Sequence, residues 1–228
     1  MNDGDSRVQT EVAVFSLVER SLAALGLPSA GREARSLADL VFLLSHWAQR
    51  INLTGHRDPL EMTSRLVIDA VALTTALPEL GDFSSLADLG SGAGFPGLPI
   101  AIIHPHLEVR LVDSRLKRNH FQREARRKID LPNVYPMLGR SNELTPIASD
   151  IVIAQAMTQP TQAFELMIPW SKPGGLIVLP ASAGARRPET PTEIVNLEER
   201  SYVVPVIGIL RSLWVARLRI PPDITAPE

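Results

Sequence analysis

Cysteine is absent from all 228 residues, which excludes disulfides, thiolate metal sites and any cysteine nucleophile. Aromatic side chains are sparse, at 5% of the chain, and no apolar run approaches the ~18 residues that a membrane-spanning helix needs. The opening stretch Met1-Asn2-Asp3-Gly4-Asp5 is acidic where an export signal would be basic and apolar, so a cytoplasmic protein is expected. His46, His56, His104, His106 and His120 follow no metal-ligand spacing, and no metal site is expected. A strong net charge is also missing: at −2 overall, any attraction to nucleic acid must come from a local basic patch. What remains, 45% hydrophobic and 21% charged, can fill one core. A single domain with a modest extension, folding alone as a monomer, is the expectation.

The most informative stretch is Asp88-Leu89-Gly90-Ser91-Gly92-Ala93-Gly94-Phe95-Pro96-Gly97, which describes a strand, a glycine turn and a helix start in succession. Leu86 to Leu89 is a short apolar run suited to a buried strand. Glycines at alternate positions let the backbone bend sharply and approach a ligand with no Cβ in the way. Leu107 to Val112 makes a second strand that ends in Asp113, about 20 residues beyond the glycines, where a carboxylate can accept hydrogen bonds from both hydroxyls of a ribose. A nucleoside cofactor is implied. Two motifs overlap in the turn. Gly92 to Gly97 fits G-x-G-x-x-G, the dinucleotide pattern, in which a pyrophosphate rests on a helix N-terminus. Asp88-x-Gly90-x-Gly92-x-Gly94 fits the class I S-adenosylmethionine pattern, in which the acid helps hold the cationic methionine end. A carboxylate beside the turn repels a pyrophosphate and suits a sulfonium and an ammonium, which favours S-adenosylmethionine over NAD or a purely structural turn.

Around this centre the chain divides by its periodicity. Residues 10 to 77 read as helical: Val14, Leu17, Val18 and Leu22 recur at helical spacing, as do Leu37, Leu40, Val41, Leu44 and Trp47. Asp58-Pro59-Leu60-Glu61 supplies an N-cap and a proline at the first helical position, and begins a third helix. From Leu86 strands and helices alternate: strand 86–90, helix 96–103, strand 107–112, helix 115–129, and strands near 133–138 and 150–154, which implies a parallel sheet. Lys172-Pro173-Gly174-Gly175 reads as a turn before a strand at 176–179, residues 183–192 read as a surface loop, and segments 202–209 and 212–218 read as an antiparallel pair at the sheet edge. The expected fold is α/β, a Rossmann-like class I methyltransferase sheet, with a helical cap over residues 1–80, a cofactor-binding core over 81–220 and a tail over 221–228.

With these elements in order, the chain resembles the ribosomal small-subunit methyltransferase G family, also called glucose-inhibited division protein B, from about Leu40 to Leu218. The resemblance is carried by Trp47, Ile51-Asn52-Leu53-Thr54 and Arg57-Asp58-Pro59, then by Asp88 to Pro99, then by Asp113-Ser114 with Lys117-Arg118. It implies transfer of a methyl group from S-adenosylmethionine to N7 of a guanosine in 16S ribosomal RNA, with that RNA or the small ribosomal subunit as partner. It also implies that Gly90 and Phe95 contact the cofactor, that Ser141 and Asn142 lie beside the adenine and Gln155 near the methionine end, and that Asn52 and Asp69 help close the site. Four positions depart from the family pattern: Leu66 stands for a histidine, Asn142-Glu143 for a glutamate pair, Gln155 for an arginine, and Pro180 for a lysine-glycine pair. Three of these remove actual or potential positive charge, which leaves open an altered or inactive member.

Attack by N7 uses a free lone pair and loses no proton, so positioning can suffice and no general base is required. Methylation at C5 of a pyrimidine normally uses a cysteine, and exocyclic amines are commonly served by an Asn-Pro-Pro-aromatic loop where this chain has Ala154-Gln155-Ala156-Met157. No catalytic residue is therefore assigned. For RNA, residues 115–128 hold seven Lys or Arg against Glu124 alone. On a helix, Phe121, Ala125 and Ile129 form the buried stripe, while Arg115, Gln122 and Arg126, with Arg123 and Arg127 beyond, point outward. Arg115, Lys117, Arg118, Arg123 and Arg126 are the candidate RNA contacts. The alternative is a merely solvated face, with Lys117 and Arg118 packed near the ribose edge.

Overall fold

The computed structural model describes residues 3–154, 159–181 and 184–221. Two long helices, α1 (Asp3–Ala24) and α2 (Arg32–Ala48), open the chain. Their apolar positions Val14, Val18, Leu22, Leu37, Leu40, Val41 and Leu44 are fully buried, as the helical spacing requires. Trp47 is partly buried and meets Phe121 edge-on, with ring centroids 5.8 Å apart. The Arg57-Asp58-Pro59 motif joins helices. The Arg57 guanidinium donates to the Ala48 carbonyl at the end of α2, and the Asp58 carboxylate accepts from Leu60 N and Glu61 N, each at 2.9 Å, to start α3 (Pro59–Met62). A wide π turn over Thr63–Val67 then leads into α4 (Ile68–Leu73). Asn52 is exposed and lies beyond Gln49, the residue that caps α2.

The sheet follows the expected alternation: β1 (Ser85–Leu89), α5 (Gly97–Ile103), β2 (Glu108–Asp113), α6 (Leu116–Lys128), β3 (Val134–Leu138), β4 (Ser149–Ala154), α7 (Pro160–Met167), β5 (Ser171–Ala181), β6 (Ile194–Val204) and β7 (Ile209–Leu218). The strand order is β3-β2-β1-β4-β5-β7-β6; β1 to β5 run parallel, and β7 and β6 close one edge as an antiparallel pair. The chain winds one way from β1 through β2 to β3 and the other way from β4 to β5. The reversal falls between β1 and β4, and ligands of open α/β sheets bind beyond the carboxyl ends of the strands near such a point. The cap, α5 and α6 share one continuous apolar cluster with one face of the sheet; α7, Trp170 and Trp214 cover the other.

Three details differ from the sequence expectation. Lys172 to Gly175 is not a turn before the strand but an irregular part of β5: pairing jumps from Ser149 opposite Ser171 to Ile151 opposite Leu176, with Gly174 at φ 75°. Strand β6 begins at Ile194 rather than near 202, because an outer strand with one solvated face carries Glu198, Glu199 and Arg200 in place of an apolar run. Helix α7 has no counterpart in the sequence reading. Pro160 and Pro169 look like breakers, yet Pro160 occupies the first helical turn, where its missing N–H costs nothing.

Candidate active site

Strand β1 ends in a backbone reversal at Gly90, whose φ of 71° is a left-handed value that a side chain disfavours. The reversal is tied to the next strand. Gly90 N and Ser91 N both donate to the Val112 carbonyl, at 2.8 and 3.0 Å, and Gly92 N donates to Asp113 Oδ2 at 3.0 Å. At the far end of the turn, a Cβ on Gly97 would collide with Leu111 and come within 2.9 Å of Asp88 Oδ2, so only glycine lets α5 start this close to the sheet.

Asp88 is wholly buried; its Oδ2 accepts from Gly97 N at 2.9 Å and its Oδ1 has no partner among the described residues. Burial pushes this carboxyl up to about 7, opposed by the Gly97 N–H and assisted by the nearby Asp113. Asp88 thus pins the helix start from behind the turn. Gly92 and Gly94 also shape the turn rather than line the opening.

In front of the turn lies a cleft of about 450 Å³, walled by Gly90 and Val112 on one side and by the loop after β3 on the other. Asp113 lies at its base, 5% exposed. Its Oδ1 accepts from Arg115 N at 2.8 Å, and its Oδ2 accepts from Gly92 N and from Arg118 Nη1 at 3.1 Å. Ser141 and Asn142 line the opposite wall, where the Ser141 carbonyl is held at 3.0 Å by Trp170 Nε1. Gly90, Asp113, Ser141 and Asn142 therefore meet at one opening. Phe95 faces away, into a smaller cavity of about 40 Å³ shared with Leu66, Asp69, Pro180 and Tyr202. Gln155 lies outside the described residues.

The candidate RNA residues divide. Arg118 turns into the cleft and pairs with Asp113, and Arg115 stands at the rim. Lys117, Arg123 and Arg126 are exposed on α6; Arg123 Nε donates to Asn119 Oδ1 at 2.8 Å, and the Arg126 guanidinium lies 5.8 Å from the Tyr135 ring centroid. Gln122 corrects the sequence expectation. Instead of pointing outward it is fully buried, its Nε2 donating to the Gly92 carbonyl at 2.8 Å and to Ser91 Oγ at 3.0 Å. The signal was available: Arg118, Gln122, Ala125 and Ile129 share one helical stripe, and a turn rich in carbonyls accepts a buried amide. Arg140 and Leu166 also line the cleft, and neither was singled out from the sequence.

The other side of the site is built by the cap. Asp69 on α4 accepts from the Tyr202 hydroxyl at 2.8 Å and from Arg211 at 2.9 Å, which fastens the cap to β6 and β7. Burial, with Asp69 beside it, pushes the Tyr202 phenol well above its ordinary range. Arg65, on the π turn, stands exposed at the mouth of the smaller cavity.

The family model described as rRNA small subunit methyltransferase G (GidB) matches residues 33–193. A ribosomal RNA small subunit methyltransferase G from Chromohalobacter salexigens is 34% identical over 190 residues, covering 82% of this chain and 89% of that protein. One from Stenotrophomonas maltophilia is 34% identical over 210 residues, covering 86% and 96%. In fold, the chain resembles an O-methyltransferase from Bacillus cereus in complex with SAH, with a TM-score of 0.55, 13% identity and coverage of 81% and 91%. A putative O-methyltransferase from Klebsiella pneumoniae gives a TM-score of 0.55 at 12% identity, covering 81% and 90%.

Proposed function

The chain belongs to the rRNA small subunit methyltransferase G family, and from that premise we propose that it moves a methyl group from S-adenosylmethionine to N7 of a guanosine in 16S ribosomal RNA. The observation that carries the reading is the cleft beyond the carboxyl ends of β1, β2 and β3, with a near-buried carboxylate at its base and bare glycine backbone as one wall. Its volume of about 450 Å³ suits a nucleoside-sized ligand. S-adenosylmethionine, when bound, supplies a methyl carbon made electrophilic by the attached sulfonium.

The protein's part is to bind and orient. Asp113 offers carboxylate oxygens to ribose hydroxyls, Gly90 lets the ligand reach the backbone, and Ser141 and Asn142 flank the base. Val112 and Leu166 supply apolar walls. Guanine N7 attacks through a lone pair and releases no proton, so the site needs no general base. The absence of cysteine is consistent with this and removes the C5-pyrimidine route.

A second reading has an observation in its favour. Of the four departures from the family pattern, Leu66 and Pro180 converge on the small cavity beside Phe95, which leaves Arg65 as the basic side chain lining it where the family pattern would bring histidine and lysine as well. A member that binds cofactor and RNA but transfers slowly would look like this. The test is a pair of measurements on the whole chain. Calorimetric titration with S-adenosylmethionine is expected to show one site, and methyl-tritiated cofactor is expected to label 16S RNA or 30S particles at N7-methylguanosine by mass mapping. Binding without labelling would select the second reading; saturable binding of NAD in place of S-adenosylmethionine would defeat both.

A further inference from the structure

Strand β3 is one outer edge of the sheet, and Tyr135 stands on it 42% exposed. Its ring lies 5.8 Å from the Arg126 guanidinium, and its hydroxyl has no hydrogen-bond partner among the described residues. Pro136 follows and lacks the N–H that an added strand would use, so this edge is poorly made for pairing with another protein's strand. What it presents is an aromatic ring and a guanidinium together, and both kinds of group stack on nucleobases.

The surroundings point to the same occupant. Helix α6 carries Lys117, Arg118, Arg123, Arg126, Arg127 and Lys128 against Glu124 alone, in a chain whose net charge is −2. All but Arg118 and Glu124 are exposed. The pair is also continuous with the cleft: β3 runs from Tyr135 to Leu138, and Gly139 and Arg140 then form part of the cleft wall. At ~3.3 Å per residue the platform stands about 13 Å along the strand from that wall. Arg115 and Arg140 mark the near end of the path, and Arg126 and Arg127 the far end.

We propose that Tyr135 and Arg126 form a stacking platform for an unpaired base of the RNA strand that leads away from the methylated guanosine. The proposal rests on ribosomal RNA being the substrate class, and it assigns a place on this chain for nucleotides outside the reacting centre. Exposed lysines and arginines alone would bind the backbone without regard to strand structure; an aromatic platform adds a preference for single-stranded segments.

Fluorescence anisotropy with fluorescein-labelled 16S rRNA fragments, single-stranded and duplex, tests it independently of methyl transfer. Tyr135→Ala is expected to weaken single-strand binding about tenfold, with duplex binding and S-adenosylmethionine affinity unchanged, while Tyr135→Phe binds as the wild type. Arg126→Ala is expected to reduce the slope of log affinity against log salt by about one. Single-strand binding by Tyr135→Ala equal to that of the wild type would overturn the proposal, as would a Tyr135→Phe variant as weak as the alanine variant, which would mean the hydroxyl matters rather than the ring face. Failure of the wild type to transfer methyl groups while Tyr135-dependent binding persists would sink the catalytic reading and leave the platform standing. Normal transfer with no effect of Tyr135→Ala would do the reverse.

Discussion

The two sides of the glycine turn are held in different ways. On the cofactor side, the partners lie close in sequence: Gly92 to Asp113 across 21 positions, Arg118 to Asp113 across 5, Gln122 to Gly92 across 30. On the cap side, Asp69 reaches Tyr202 across 133 positions and Arg211 across 142, and Glu79 reaches Arg200 across 121. The first wall is one β-α-β unit folding back on itself. The second exists only after the chain's two ends meet. Changes on the first wall should therefore alter cofactor affinity, and changes on the second should alter stability first.

The largest expected effect tests the buried acid behind the first wall. With its carboxyl raised from 3.8 to about 7, folded Asp88 keeps a proton that the unfolded chain releases at lower pH. Its contribution to stability is thus present in full below pH ~4 and is lost as pH rises through about 7, a swing of up to about 4 kcal/mol. Asp88→Asn keeps an acceptor for Gly97 N–H, and its advantage over the wild type in urea melts is expected to grow from about pH 5 to about pH 8. A difference that does not vary with pH would show that Asp88 is ionised in the fold.

Next comes Asp113→Ala, which removes the proposed ribose acceptor and strands Arg118. Calorimetry should show S-adenosylmethionine affinity falling about 100-fold, with two charged hydrogen bonds lost. Undiminished affinity would remove the carboxylate from the binding site. Gln122→Leu should follow at about 2 kcal/mol of stability, because the Gly92 carbonyl and Ser91 hydroxyl lose a buried donor, accompanied by a roughly tenfold weaker cofactor. A variant that melts lower yet binds cofactor normally would mean that the turn keeps its shape without this brace.

The smallest effect belongs to the cap. Tyr202→Phe deletes one hydrogen bond to Asp69 and should cost about 1 kcal/mol in thermal or urea melts while cofactor affinity stays unchanged. A large loss of cofactor affinity in Tyr202→Phe would erase the distinction between the two walls.

The sequence made the first wall legible because each of its signals lies in a short window. Glycine spacing, an apolar run of strand length and an acid about 20 residues on are all local, and so is the Asp58-Pro59 helix start. It misread Gln122 because a polar residue on a basic helix was assigned by polarity, when its position on the buried stripe decided the matter. It passed over α7 because its flanking prolines resemble breakers. For Arg118 the sequence leaves two readings, an RNA contact or packing near the ribose edge, and its pairing with Asp113 accords with the second.

Backbone sterics and side-chain periodicity act between near neighbours, so the order of strands and helices, the bend after β1 and the reach of Asp113 were already written in the residues. Which side chains meet across the molecule depends on where β6 and β7 come to rest against the cap and on how α6 lies over the edge of β3. Those approaches are set by burial of a shared core, whose drive has no preferred partner or direction. The Asp69, Tyr202 and Arg211 junction and the Arg126 and Tyr135 pair are consequences of packing, and only the tertiary structure could disclose them.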